Sequence, residues 1–187
     1  MEKTGVHRLA RVLRVLVIIT FVCNIIALLL VPGLAVLYVS GADISRVADS
    51  ILEFVTLSWH PVVWMLAVSG ESQDWVVLSL FLLSCGACTA VILWQGKRVL
   101  DTILLGEPFA KGNAANLKRA AVCCFLISGA ALVRLIWGFT YYRSIGPLFT
   151  YNALFVPVFF MAGLLFQVMS ALFRQAAELK EDQDLTI

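Results

Sequence analysis

Cysteine comes nearest to a chemical signature in this sequence. Cys85 and Cys88 form a C-x-x-C pair in the second long apolar segment, and Cys123 and Cys124 are neighbours in the third. If one segment runs inward and the next begins inside, Cys88 reaches the depth of Cys123 or Cys124, so a thiol redox pair or a metal cluster is geometrically open. The same residues also suit helix packing, because a free cysteine behaves as a small hydrophobe and small residues let membrane helices approach closely. A reactive thiol needs access, and all five cysteines, Cys23 included, fall in apolar sequence. We therefore expect packing residues, with no metal, no cofactor and no catalytic group.

Three other features could carry chemistry. His60 has Asp43, Asp49, Glu53, Glu71 and Asp74 around it in sequence. One histidine without fixed ligand spacing is the mark of a solvated loop more than of a metal or proton sensor. Asn24 is the most polar residue of the first apolar segment and is expected to bond between helices. Arg134 is the one charge set well inside an apolar segment, where an ionised side chain costs about 2.5–3.5 kcal/mol on insertion scales. Tyr141 is about 10 Å further along such a helix, so the guanidinium can snorkel outward. A structural tie to Glu53, Glu71 or Asp74 is the expectation, with a substrate or gating role as the alternative.

The elements that must position these groups follow from hydropathy. Of 187 residues, 61% are hydrophobic and 14% charged, against about 25% charged in an ordinary soluble domain, and the mean hydropathy is +0.93. Crossing the hydrocarbon takes roughly 20 apolar residues. Four stretches qualify, 15–39, 75–94, 120–142 and 154–173. The first is too long for a signal-peptide core and lacks a small-residue cleavage site, so it reads as an uncleaved anchor.

Basic residues cluster before segment one (Lys3, Arg8, Arg11, Arg14), between segments two and three (Lys97, Arg98, Lys111, Lys118, Arg119) and after segment four (Arg174, Lys180). Such residues mark cytoplasmic loops. The expected fold is therefore all-α, a single-domain integral membrane four-helix bundle over residues 1–187. Both termini would be cytoplasmic, and the chain would be multi-pass in the plasma membrane.

Residues 41–74 form the longest outer connector. Asp43 can cap an amphipathic helix carrying Ile44, Val47, Ala48, Ile51 and Leu52 on one side, and the short run Ser58–Leu66 holds tryptophans suited to the headgroup level. An outer lid is expected. The inner connector, 95–119, continues segment two as an amphipathic helix and is then stopped by Gly106 and Pro108. Phe109, Asn113 and Leu117 are spaced i, i+4, i+8 and form one stripe if the next helix starts near Ala110. After segment four, Arg174 and Glu178 make an i, i+4 pair.

The run G-x-P-F from Gly106 to Phe109, with Asn113 and Leu117 following at intervals of four, resembles the signature of a family of small bacterial four-helix membrane proteins catalogued only as a domain of unknown function. The closing Asp184–Ile187, D-L-T-I, is similar to that family's chain end. Members generally have Ser or Thr after the Phe and often an acid before the Asn, an arrangement suited to a capping box. Ala110 and Gly112 stand there in this chain, so Asn113 is the candidate cap of a later start. The resemblance also implies genetic association with small helix-turn-helix regulators.

The expected function is that of a sensor or regulatory partner which signals to a cytoplasmic protein such as a helix-turn-helix regulator, with Phe109, Asn113 and Leu117 as the partner-binding stripe. The alternatives are a small transporter or channel subunit and a membrane thiol oxidoreductase. Expected partners are the lipid bilayer, a cytoplasmic regulatory protein and further copies of the chain, with no direct contact to nucleic acid.

Overall fold

A backbone crossing hydrocarbon must satisfy its polar groups internally, so long apolar stretches become helices. The computed structural model describes residues 2–40, 73–142 and 151–184. Its elements are α1 (Glu2–Ser40), α2 (Gln73–Leu104), α3 (Lys111–Tyr142) and α4 (Tyr151–Asp184). The described residues are all-α and include no strand. The expected outer lid up to residue 72, with His60, lies outside the described residues, as do connector 143–150 and the last three residues.

Each helix contains a stretch of mean hydropathy between 2.0 and 2.7, long enough to cross a membrane. The helices also outrun their apolar cores. The 32 residues of α2 make about 48 Å at 1.5 Å per residue, against roughly 30 Å of hydrocarbon. The excess carries charge: Lys97, Arg98 and Asp101 ride on the end of α2, and Arg174 to Asp182 on the end of α4. Most of the expected inner connector is thus helix, and only residues 105–110 break it.

The chain divides into two compact units, Met1–Val22 with Cys88–Ile187, and Cys23–Ala87. In the first, α3 buries a stripe of mostly small residues, Asn113, Leu117, Ala120, Ala121, Cys124, Ile127, Ser128 and Ala131. Their spacing of three and four places them on one side of the helix. The stripe lets α4 pack closely and antiparallel. Ser128 Oγ donates to Val156 O at 2.9 Å and Ser170 Oγ to Ala114 O at 2.7 Å. Between them Phe125 meets Phe160 edge-on, ring centroids 5.7 Å apart. Gly163 makes this approach possible, since a Cβ there would stand 2.9–3.0 Å from the Phe125 ring.

Pro157 interrupts the hydrogen bonding of α4 near its start. Helix α4 starts at Tyr151, so the proline lies in the second turn and leaves the carbonyl of Ala153 without its helical N–H. The first part of α1 runs antiparallel to the end of α2 in the same unit. Arg14 Nε lies 2.8 Å from Asp101 Oδ1, an ion contact not aligned as a hydrogen bond, and Phe21 packs on Trp94 with centroids 5.9 Å apart. In the second unit Gly86 faces Leu28 so closely that an added Cβ would collide with it.

Candidate functional site

The break between α2 and α3 is built from six residues and three local devices. Gly106 takes φ +84°, a conformation glycine adopts without the steric cost a Cβ brings. Its N–H bonds to Ile103 O at 3.1 Å, and the next N–H, Glu107, bonds to Thr102 O at 3.0 Å. This pair of bonds is the Schellman arrangement, which satisfies carbonyls left open by the end of a helix. Pro108, which cannot extend the helix, follows at once.

The third device is Asn113. It is 0% exposed, and its Nδ2 donates to Thr102 Oγ1 at 2.7 Å and to Pro108 O at 2.8 Å. The Thr102 hydroxyl has one proton, shared between Val99 O at 2.8 Å and Asn113 Oδ1 at 3.0 Å. One amide therefore clips the last turn of α2, the proline turn and the first turn of α3 together. Its donors are spent on protein groups, so the set acts as a clamp.

Two expectations change in consequence. Helix α3 starts at Lys111, so Asn113 lies inside its first turn and reaches back across the break, instead of capping a later start. The three residues expected to share a stripe also divide. Asn113 and Leu117, the latter 7% exposed, face inward, whereas Phe109 precedes the helix and keeps 46% of its surface open. Its ring rests on Phe173 of α4 at 6.0 Å between centroids. In the same turn Leu105 is 80% exposed, a second apolar side chain open to its surroundings.

Next to this turn, α3 and α4 frame an open groove of about 660 Å³. Small side chains, Ala114, Ala115, Ser170, Ala171 and Ala177, make its floor. Its rim is charged: Lys111 Nζ pairs with Glu181 Oε2 at 2.7 Å, and Arg174 Nε with Glu178 Oε1 at 2.9 Å, the pair expected from their spacing. Lys118 and Gln167 complete the wall. Exposed pairs of this kind contribute about 0–1 kcal/mol each, so they shape the rim more than they stabilise the helices.

The other singled-out residues are placed elsewhere. Arg134 is partly buried on α3 and engaged in an interaction; Glu53 and Glu71 lie outside the described residues. Asn24 is half-buried on α1, and its Oδ1 meets no donor among the described residues. All five cysteines are free thiols. Cys88, Cys123 and Cys124 come near one another. Among the described residues no group of three or more His, Cys, Asp or Glu is placed to hold a metal ion.

Sequence reasoning missed Thr102, Ser128, Ser170 and Gly163. A hydroxyl in an apolar helix bonds as readily to its own backbone as to a neighbour's, as Thr20 does with Leu16 O at 2.9 Å. Only the three-dimensional register tells the cases apart.

Four helices of this length and hydropathy are compatible with a multi-pass membrane protein. Residues 62–187, about two thirds of the chain, match the family described as Protein of unknown function (DUF2975), and the chain belongs to that family. No curated protein and no solved structure matches it.

Proposed function

We propose that the protein is a membrane-embedded regulatory partner whose α2–α3 turn and α3–α4 groove engage a cytoplasmic protein, of which a helix-turn-helix regulator is the leading class. The observation that carries this reading is the groove itself. It has a small-residue floor, a rim of both charges and two open apolar side chains, Leu105 and Phe109, close by in the chain. It lies where α3 and α4 leave their most apolar stretches. Interfaces combine an apolar centre with a polar rim, and a helix with apolar residues on one side and charges on its flanks matches such a groove.

The reading requires the turn to face the cytoplasm, as the distribution of basic residues argues. Impermeant thiol reagents applied to single cysteines at Ser45 and Gln183, in a cysteine-free background, should label from opposite sides of the membrane. Labelling from one side removes the reading.

The binding test uses the purified full-length chain in lipid nanodiscs and a purified small helix-turn-helix regulator of the class the family resemblance implies. Filling the groove with Ala115→Trp should weaken capture by about tenfold or more, equivalent to 1.4 kcal/mol, while Leu164→Trp on another part of α4 should not. Equal capture by both variants rejects the groove as the binding surface. Solute flux in reconstituted vesicles would favour the transporter reading instead.

A second reading rests on the proximity of the free thiols Cys88 and Cys123, which a membrane thiol oxidoreductase would need. Replacing all five cysteines by alanine should leave insertion and partner capture intact. Loss of function confined to the Cys88 and Cys123 variants would support the oxidoreductase.

A further inference from the structure

Away from the groove, the first half of α1 and the antiparallel end of α2 hold a second cavity. Val17, Ile18 and Phe21 from α1 face Leu93 and Trp94 from α2 across a cleft of about 110 Å³ that Lys97 also lines. The walls are otherwise apolar. Two cations gather on the indole that lines this cleft: Lys97 Nζ is 4.9 Å from the centre of the Trp94 ring and Arg98 Cζ is 5.8 Å from it. Both distances are within cation–π range. Among the described residues the ion pairs are Arg14–Asp101, Lys111–Glu181 and Arg174–Glu178, so neither Lys97 nor Arg98 is neutralised by a carboxylate there. Asp101, the acid one turn further along α2, is held by Arg14.

The order of groups along the helices narrows the ligand. The apolar cleft lies beside the hydrophobic part of α2, Trp94 is at its edge, and the two cations are one turn nearer the α2–α3 break. Tryptophan favours the headgroup level of a bilayer, and lysine and arginine extend toward it from helix ends. An anionic phospholipid presents the complementary sequence, acyl chain first and phosphodiester last. A soluble acidic peptide would match the cations but leave the cleft empty.

We propose that Lys97, Arg98 and Trp94, with the cleft below them, form a binding site for one anionic glycerophospholipid. Its phosphate sits between the two cations and part of one acyl chain enters the Val17–Phe21 cleft. Arg8 and Arg11, both exposed on α1, attract anionic lipid diffusely and are the natural control. The site is independent of the α3–α4 groove and of any protein partner.

Native mass spectrometry of the full chain tests this, using detergent micelles doped with phosphatidylglycerol or phosphatidylcholine of identical acyl chains. One phosphatidylglycerol should be retained with about tenfold preference, which corresponds to 1.4 kcal/mol. Lys97→Gln with Arg98→Gln should remove the preference, and Arg8→Gln with Arg11→Gln should keep it. Equal loss in both double variants means diffuse attraction and overturns the site, as does retention unaffected by Lys97→Gln with Arg98→Gln. Displacement of the lipid by millimolar glycerol phosphate would show that the acyl cleft adds nothing and would also overturn it. A readout on the unaltered cations guards against a folding defect. Phosphatidylglycerol brominated on its acyl chain should quench the fluorescence that Trp94→Phe removes, more than brominated phosphatidylcholine does. Equal quenching by the two lipids refutes a headgroup-selective site.

Discussion

Asn113→Ala is the substitution that most directly probes how the α2–α3 break is held. The side chain is fully enclosed and uses both amide protons, on Thr102 Oγ1 and Pro108 O. Removing it strands the Pro108 carbonyl and returns the Thr102 hydroxyl to Val99 O alone. A buried neutral polar group left without its partner costs about 1–3 kcal/mol, so a loss near 2 kcal/mol is expected, about thirtyfold in the unfolding equilibrium. Thr102→Val should cost less, about 1 kcal/mol, because Pro108 O keeps its donor. The double variant Thr102→Val with Asn113→Ala should cost less than the two single losses together, since the second substitution removes a bond that the first has already broken. Reversible unfolding in mixed dodecylmaltoside and SDS micelles, followed by circular dichroism, measures all three. A change below about 0.5 kcal/mol for Asn113→Ala, the range of ordinary surface substitutions, refutes the clamp. Strict additivity refutes the Thr102–Asn113 bond.

Three further outcomes follow from the same geometry. Gly106→Ala meets no atom within 4 Å, so its cost is purely conformational, about 1 kcal/mol for a Cβ at positive φ; an unchanged midpoint in the same titration would exclude the left-handed turn. Gly163→Ala drives a Cβ to 2.9 Å from the Phe125 ring and should destabilise the chain by about 1–3 kcal/mol, with Phe125→Leu restoring part of it; a neutral Gly163→Ala would show that α3 and α4 are further apart. Phe109→Ala deletes a ring that rests on Phe173 and should lower stability by about 1 kcal/mol, the order of an aromatic pair. Unchanged stability with lost partner capture would make Phe109 a docking residue alone.

The apolar spans and the end of α2 at Gly106 and Pro108 were legible because they depend on local properties. Hydropathy decides which residues leave water, and backbone constraint decides where a helix stops. The Arg174–Glu178 pair was legible for the same reason, as both residues belong to one helix. The orientation of Phe109, Asn113 and Leu117 was not. Spacing of four residues implies a common side only when helix already separates them. Here Phe109 lies in the turn and the helix begins at Lys111, so the break resets the angle between Phe109 and the other two. The groove was equally hidden, because Lys111 and Glu181 are seventy positions apart and meet only through the antiparallel register of α3 and α4.

That register explains why α3 carries the candidate site's structure. Its first turn is tied to α2 through Asn113 and Thr102, and Ala114, one residue on, receives the Ser170 hydroxyl of α4. The two bonds come from consecutive residues, Asn113 through its side chain and Ala114 through its carbonyl, so the beginning of α3 cannot shift along its axis without straining one of them. The Gly-Pro break and the groove rim are therefore both held to one short segment of backbone. A ligand seated in the groove would press on Ala114 and Ala115, next to the residue that clips the turn presenting Leu105 and Phe109. The Asn113 clamp, whose strength the Asn113→Ala measurement gives, is the shortest link between groove and turn.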